Sequence, residues 1–228
     1  MPRPLPLAPG PAGPCTGCPA PCCQQHTVPV EGYDLVRLVR GLGRPWHDLI
    51  EVDTYPAYSP RGFCLHAGGA RHGFVLRRSR PEAPCPLWDP DPAAPARCTA
   101  YPHRPAACRV YPLLAADDEP TGSFVLGLAL CPEQAKRRFW LLRPELRPVI
   151  DDDLAELQLY VRIVSRWNHH AERTPAQAGL SVDQYVAWLL RLYAELEPLR
   201  QPDRGAWQLT AYRLVDRFPV PWQGGSDF

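Results

Sequence analysis

Eight of the nine cysteines fall into two groups with the chemistry of soft-metal ligands. The first is Cys15-Thr16-Gly17-Cys18-Pro19-Ala20-Pro21-Cys22-Cys23, which sets four thiols within nine residues. The two-residue gap between Cys15 and Cys18 lets both sulfurs converge on one metal ion. Gly17 permits the positive φ of such a turn, which frees backbone N–H groups to point at the sulfurs. Adjacent Cys22 and Cys23 project in diverging directions, so they serve two metals, or one of them only packs. The second group is Cys85, Cys98, Cys108 and Cys131, with intervals of twelve, nine and twenty-two residues. Only folding can gather these four, so metal binding is expected to be coupled to folding.

A set made of thiolates favours zinc or an iron–sulfur centre over magnesium, calcium or manganese. Two groups of four fill two tetrahedral sites, or four thiols hold one 4Fe-4S cluster while the others are structural; the spacing leaves both open. Four thiolates around Zn2+ carry a formal charge of about −2. Arg104 and Arg109 flank Cys108 and could offset that charge and donate hydrogen bonds to the sulfurs from outside the ligand set; they suit ordinary ion pairing equally well. Cys64, between Phe63 and Leu65, reads as a packing residue. His26, His47, His66, His72, His103 and the pair His169–His170 show no metalloprotease spacing, although His26 and His103 are close enough in sequence to the cysteines for an imidazole to replace one thiolate. Asp151, Asp152 and Asp153 read as the solvated start of a helix, and Trp140, Trp167, Trp188 and Tyr193 as helix-packing residues.

The elements that must position these groups are short. Thirty prolines in 228 residues favour loops and brief elements, so an α+β, metal-stapled, loop-rich cysteine-cluster core with C-terminal helices is expected. Residues 1–14 read as a disordered Pro-rich tail, 15–132 as the metal-binding domain and 133–228 as a helical region. Pro29–Val30 is expected to be extended. Leu35, Leu38, Val39 and Leu42 predict a helix over 31–42 that ends at Gly41, Gly43 and Pro45. A short helix over 47–52, strands over 62–66 and 73–77, and a loop-rich hairpin over 85–101 follow. A buried strand is expected over 123–130 with Cys131 at its exit, then helices over 133–142, 151–170 and 182–196 with Ser181 as a start signal.

Taken together, Cys-x-x-Cys-x-x-x-Cys-Cys at 15–23, Cys85-Pro86-Leu87-Trp88, Cys98-Thr99-Ala100-Tyr101 and Arg104-Pro105-Ala106-Ala107-Cys108-Arg109-Val110-Tyr111-Pro112 resemble the YkgJ family of cysteine-cluster proteins. The resemblance covers 15–132 and implies a zinc- or iron-chelating domain. The cluster is also similar to that of the flagellin lysine N-methylase family, where it accompanies an iron–sulfur cluster and methyl transfer from S-adenosylmethionine. That similarity implies an enzymatic alternative, but the chain is shorter than those enzymes and has no glycine-rich strand-to-helix turn. A small electron-transfer protein is the third class.

Composition excludes other classes. Twenty-five basic residues against twenty-four acidic ones leave a net charge of +1, so no field draws the chain to nucleic acid, and Lys136 is the single lysine. No stretch reaches the roughly 20 apolar residues of a membrane span. Met1–Pro14 lacks the apolar run of a secretory signal, and nine cysteines without one fit a reducing, cytoplasmic setting. The metal ion or cluster is the expected partner, and the C-terminal helices offer a surface for a protein client. If metal staples the core, chelation or the joint change Cys15→Ser with Cys18→Ser will unfold residues 15–132, seen as loss of the thermal transition by circular dichroism. Unchanged thermal stability after complete metal removal would argue against a structural metal.

Overall fold

The computed structural model describes residues 21–25, 27–78, 83–91, 98–110, 113–115, 124–126, 143–175, 180–200 and 204–220. The tail 1–14, Cys15, Cys18, His26, Cys131 and the helix expected over 133–142 lie outside the described residues.

After α1 (Pro21–Gln25) and the extended pair β1 (Pro29–Val30), the apolar spacing of Leu35 and Leu38 makes α2 (Tyr33–Leu42), with Leu35, Val36 and Leu38 buried. Its end is the expected one: Gly43 takes the left-handed conformation at φ 61° that closes helices. The helix expected over 47–52 is only half formed. A single turn, α3 (Trp46–Leu49), gives way to β2 (Ile50–Tyr55), because Ile50, Val52, Thr54 and Tyr55 suit a pleated edge better than a helix. β2 pairs antiparallel with β3 (Arg71–Leu76), Ile50 opposite Leu76 and Tyr55 opposite Arg71, while β1 lines the other edge of β3. The strand expected over 62–66 reduces to one bridge between Phe63 and His72. Past a 3-10 turn (Tyr101–His103) come α4 (Ala106–Val110) and an antiparallel hairpin of β4 (Leu113–Ala115) and β5 (Phe124–Leu126).

The C-terminal helices are α5 (Arg143–Ala171), α6 (Val182–Leu196) and α7 (Arg204–Arg217). α5 begins well before the expected 151, so Asp153 is an interior position of the helix and is buried; the reading of Asp151–Asp153 as a solvated start is corrected. Ser181 starts α6 as expected, its hydroxyl accepting from Gln184 N at 3.1 Å while Gln184 Oε1 accepts from Ser181 N at 2.7 Å. α7 was not expected: its buried stripe is one residue per turn, Trp207, Ala211 and Val215, set among charged and polar neighbours.

One hydrophobic core takes residues from both halves, including Leu35, Leu38, Ile50, Phe63 and Phe74 from the first and Leu159, Ile163, Trp167, Leu189 and Leu192 from the second. Phe63 stacks on Tyr185 with ring centroids 4.0 Å apart, and Trp167 meets Tyr185 edge-on at 4.8 Å. Backbone groups of the irregular 62–67 segment are satisfied from the helical side. Asn168 accepts from Cys64 N at 2.8 Å and donates to Gly62 O at 2.9 Å, Trp167 Nε1 donates to Cys64 O at 2.7 Å, and Leu180 N donates to Leu65 O at 2.9 Å. Cys64 is buried in this core, as a packing residue should be. No helix among the described residues is long and apolar enough to cross a membrane.

Gly32 joins the halves at closest approach. Its φ of 37° disfavours a side chain, and a Cβ there would lie 2.8 Å from the Tyr160 ring and against the Tyr193 hydroxyl. Gly32→Ala is expected to lower the stability by roughly 1–3 kcal/mol, measured as a shifted urea midpoint. A midpoint equal to that of the parent would mean the two tyrosines do not hold this turn.

Candidate metal centre

Short local turns carry the cysteines. α1 presents Cys22 and Cys23, and Cys85 N donates to Cys23 O at 2.6 Å, which fastens the second cysteine group to the first. Trp88 N donates to Cys85 O at 3.0 Å, closing a turn there. Trp88 and Cys98 then form a bridge, and Thr99 donates to Leu87 O from both its N–H (2.8 Å) and its hydroxyl (3.2 Å). This is the hairpin expected over 85–101; its tip, 92–97, lies outside the described residues. Tyr101 N donates to Cys98 O at 3.2 Å, and the chain passes through Arg104 and Pro105 into α4, which carries Cys108. Pro105 suits a helix start because its fixed φ is helical and its missing N–H would be unpaired there.

Five of the eight candidate ligands thereby share one neighbourhood. The Cys22 and Cys23 thiols are hydrogen-bonded to each other, charge on Cys85 or Cys108 bears on Cys23, and charge on Cys85, Cys98 or Cys22 bears on Cys108. The hydrogen bond from Cys23 pulls Cys22 down to about 7, against burial, and Cys23 correspondingly keeps its proton. Burial, then neighbouring thiols, push Cys108 well above the ordinary thiol value, with Arg104 opposing. Burial raises Cys85 as well. The six described cysteines, Cys22, Cys23, Cys64, Cys85, Cys98 and Cys108, are all free thiols. Among the described residues no three Cys, His, Asp or Glu side chains already stand in ligand geometry. Partly buried thiols that oppose one another's ionisation ionise together more readily with a cation in their midst, and a divalent metal or an iron–sulfur core would supply that charge. The donor set fits such a group; Cys15, Cys18 and Cys131 lie outside the described residues.

The two arginines beside Cys108 part ways. Arg104 is 6% exposed, stacks over the Tyr101 ring at 3.8 Å and donates to Tyr101 O at 3.2 Å, and its charge favours the thiolate forms of Cys22 and Cys108. Arg109 forms an ion pair with Asp153 of α5. Burial, with Arg37 nearby, lowers Arg109 to about 10, which leaves it charged at neutral pH.

Sequence reasoning missed the groups that hold α4. Asp34 Oδ1, in the first turn of α2, accepts from Ala106 N at 2.9 Å and from Arg37 Nη1 at 3.1 Å. Arg37 Nη1 also donates to Arg104 O at 3.3 Å. Glu156 of α5 pairs with Arg200, whose guanidinium lies over Tyr33 at 4.1 Å and Trp207 at 5.1 Å. Burial raises both Asp34 and Glu156, against the pull of nearby arginines. A signal was present: Asp34 lies four residues before Leu38, and Glu156 four before Tyr160, so each acid interrupts an apolar helix face.

Residues 14–124 match the sequence model of CxxCxxCC, described as “Putative zinc- or iron-chelating domain”. The CxxCxxCC region spans the described cysteines Cys22 to Cys108 and ends before Cys131 and α5. Three residues separate Cys18 from Cys22 here, where the family's name counts two. No curated protein and no solved structure matches the chain.

A depressed Cys22 pKa means that thiolate accumulates as pH rises through about 7 rather than through the ordinary 9.0. Iodoacetamide labelling of Cys22 in metal-stripped protein, followed by peptide mass spectrometry, should therefore rise between roughly pH 6 and 8. Cys23→Ala removes the donor and should cut the rate at pH 7 by about tenfold or more. Equal profiles for the two proteins would refute the thiol–thiol bond.

Proposed function

We propose that this chain is a cytoplasmic metal-binding protein in which cysteine thiolates hold zinc or an iron–sulfur cluster, with the metal joining a loop-rich region to the rest of the fold. The observation that carries this reading is the gathering of Cys22, Cys23, Cys85, Cys98 and Cys108, distant in sequence, into one mutually interacting group with the Arg104 charge beside it. The zinc- or iron-chelating description of the matched domain supports the same chemistry. Free thiols throughout the described cysteines fit a reducing compartment.

In this reading Cys15, Cys18, Cys22, Cys23, Cys85, Cys98, Cys108 and Cys131 are the ligand candidates, within a unit spanning 15–132. Metal supplies the positive charge that lets the clustered thiols ionise together. Arg104, over Tyr101, offsets what negative charge remains, while the 133–228 region buttresses the unit. Sulfur ligands and a short hairpin suit either metal form, because both ask only for converging thiolates.

Metal and acid-labile sulfide analysis with a visible spectrum, on untagged protein purified without oxygen, tests this. Iron with sulfide and a brown chromophore, or colourless protein with one or two zincs, is expected; Cys85→Ser and Cys108→Ser should each lower the bound metal by half or more, at roughly the loss typical when a ligand is deleted. Protein that folds without either metal, and whose stability is unmoved by both substitutions, would end the proposal.

A further inference from the structure

The matched domain stops at residue 124, yet the helix that presents Cys108 is held partly by a residue far beyond that limit. α4 has five residues, too few to be stable by its own hydrogen bonds, so its place in space is set from outside. Two carboxylates do this from opposite ends. Asp34 of α2 receives the N–H of Ala106 at the start of the helix, and Asp153 of α5 pairs with Arg109, the residue directly after Cys108. Both carboxylates are buried, Asp34 at 5% and Asp153 at 8% exposure, so neither pairing is replaced by water without disturbing the core. Because Cys108 sits between the two anchored residues, a shift of either carboxylate moves its sulfur.

We propose that Asp153, with Asp34 opposite it, is a positioning residue of the metal centre: by holding Arg109 it fixes where Cys108 can meet the metal, so that α5 is part of the metal site's scaffold. This rests on the metal-binding reading above. Partners that orient ligands from outside the coordination sphere change metal affinity by roughly 10–100-fold when removed. Asp153 acts here through its neighbour's side chain and the short helix they share.

The test is cobalt(II) titration of the full-length, metal-stripped protein without oxygen, read by sulfur-to-cobalt charge-transfer absorption and by zinc competition. Asp153→Asn is expected to weaken cobalt binding about tenfold or more and to lower the charge-transfer intensity as Cys108 drops out. In a Cys108→Ser background the same change should have no further effect, since its route to the metal is gone. Asp216→Asn, which breaks the exposed Arg162–Asp216 pair between α5 and α7, should leave affinity unchanged. If Asp153→Asn does not fold, the double change Arg109→Gln with Asp153→Asn leaves two neutral hydrogen-bonding groups and should show the same Cys108-dependent loss. Parent-like affinity in the Asp153 variant, or an equal loss with and without Cys108, would overturn the proposal. Absence of charge transfer in the parent protein would overturn the metal-binding reading itself, and this inference with it.

Discussion

The buried ion pair of Arg109 and Asp153 constrains much of what surrounds it, because neither charge can be left alone there. Moving a charge out of water costs several kcal/mol, and deleting one partner of a buried pair typically costs about 3–5 kcal/mol. The pair sits in a wider group in which Asp34, Asp153 and Glu156 face Arg37, Arg104, Arg109 and Arg200. Arg104 brings this group up to the thiols, where its charge opposes the upward push on Cys108. The arrangement requires α2, α4, α5 and the segment after α6 to be docked together, since each contributes a member.

Aromatic packing supplies the complementary support. Phe63, Phe74, Trp167, Tyr185 and Trp188 form a continuous set of ring contacts from the small sheet to α5 and α6. The cysteine turns join the same core: Cys85, Leu87 and Ala100 are buried in it, and Cys23, Trp88, Cys98 and Cys108 pack against it. Hydrophobic burial therefore reaches from the helices into the cysteine turns, which hydrogen bonds such as Cys85 N to Cys23 O fasten locally. Tyr160 and Tyr193 lie against Gly32, and the Tyr185 hydroxyl donates to that of Tyr160 at 3.3 Å.

Period and punctuation made much of the fold readable. The α+β class, α2 with its Gly43 end, β3 and the capping box of α6 follow from patterns contained within a few residues of one another. The boundary between α3 and β2 was misplaced because a short apolar run is ambiguous between helix and strand until a partner strand pairs with it. α7 escaped notice because its apolar stripe is narrow, and a stripe that narrow becomes informative only when a core is there to receive it.

The cysteine types and their spacing pointed by themselves to soft-metal thiolate chemistry, since no other residue class in the chain recurs in ligand-like intervals. Tertiary structure decided which groups surround them. Arg104 and Arg109, equivalent on paper as neighbours of Cys108, take different roles because one lies over Tyr101 beside the thiols and the other meets a carboxylate 44 positions further along the chain, at Asp153. Asp153 read as a helix-start acid and Asp34 drew no reading at all, because a sequence records charge but not desolvation. Only the fold, by burying them against arginines from elsewhere, turned them into the residues that hold α4 in place.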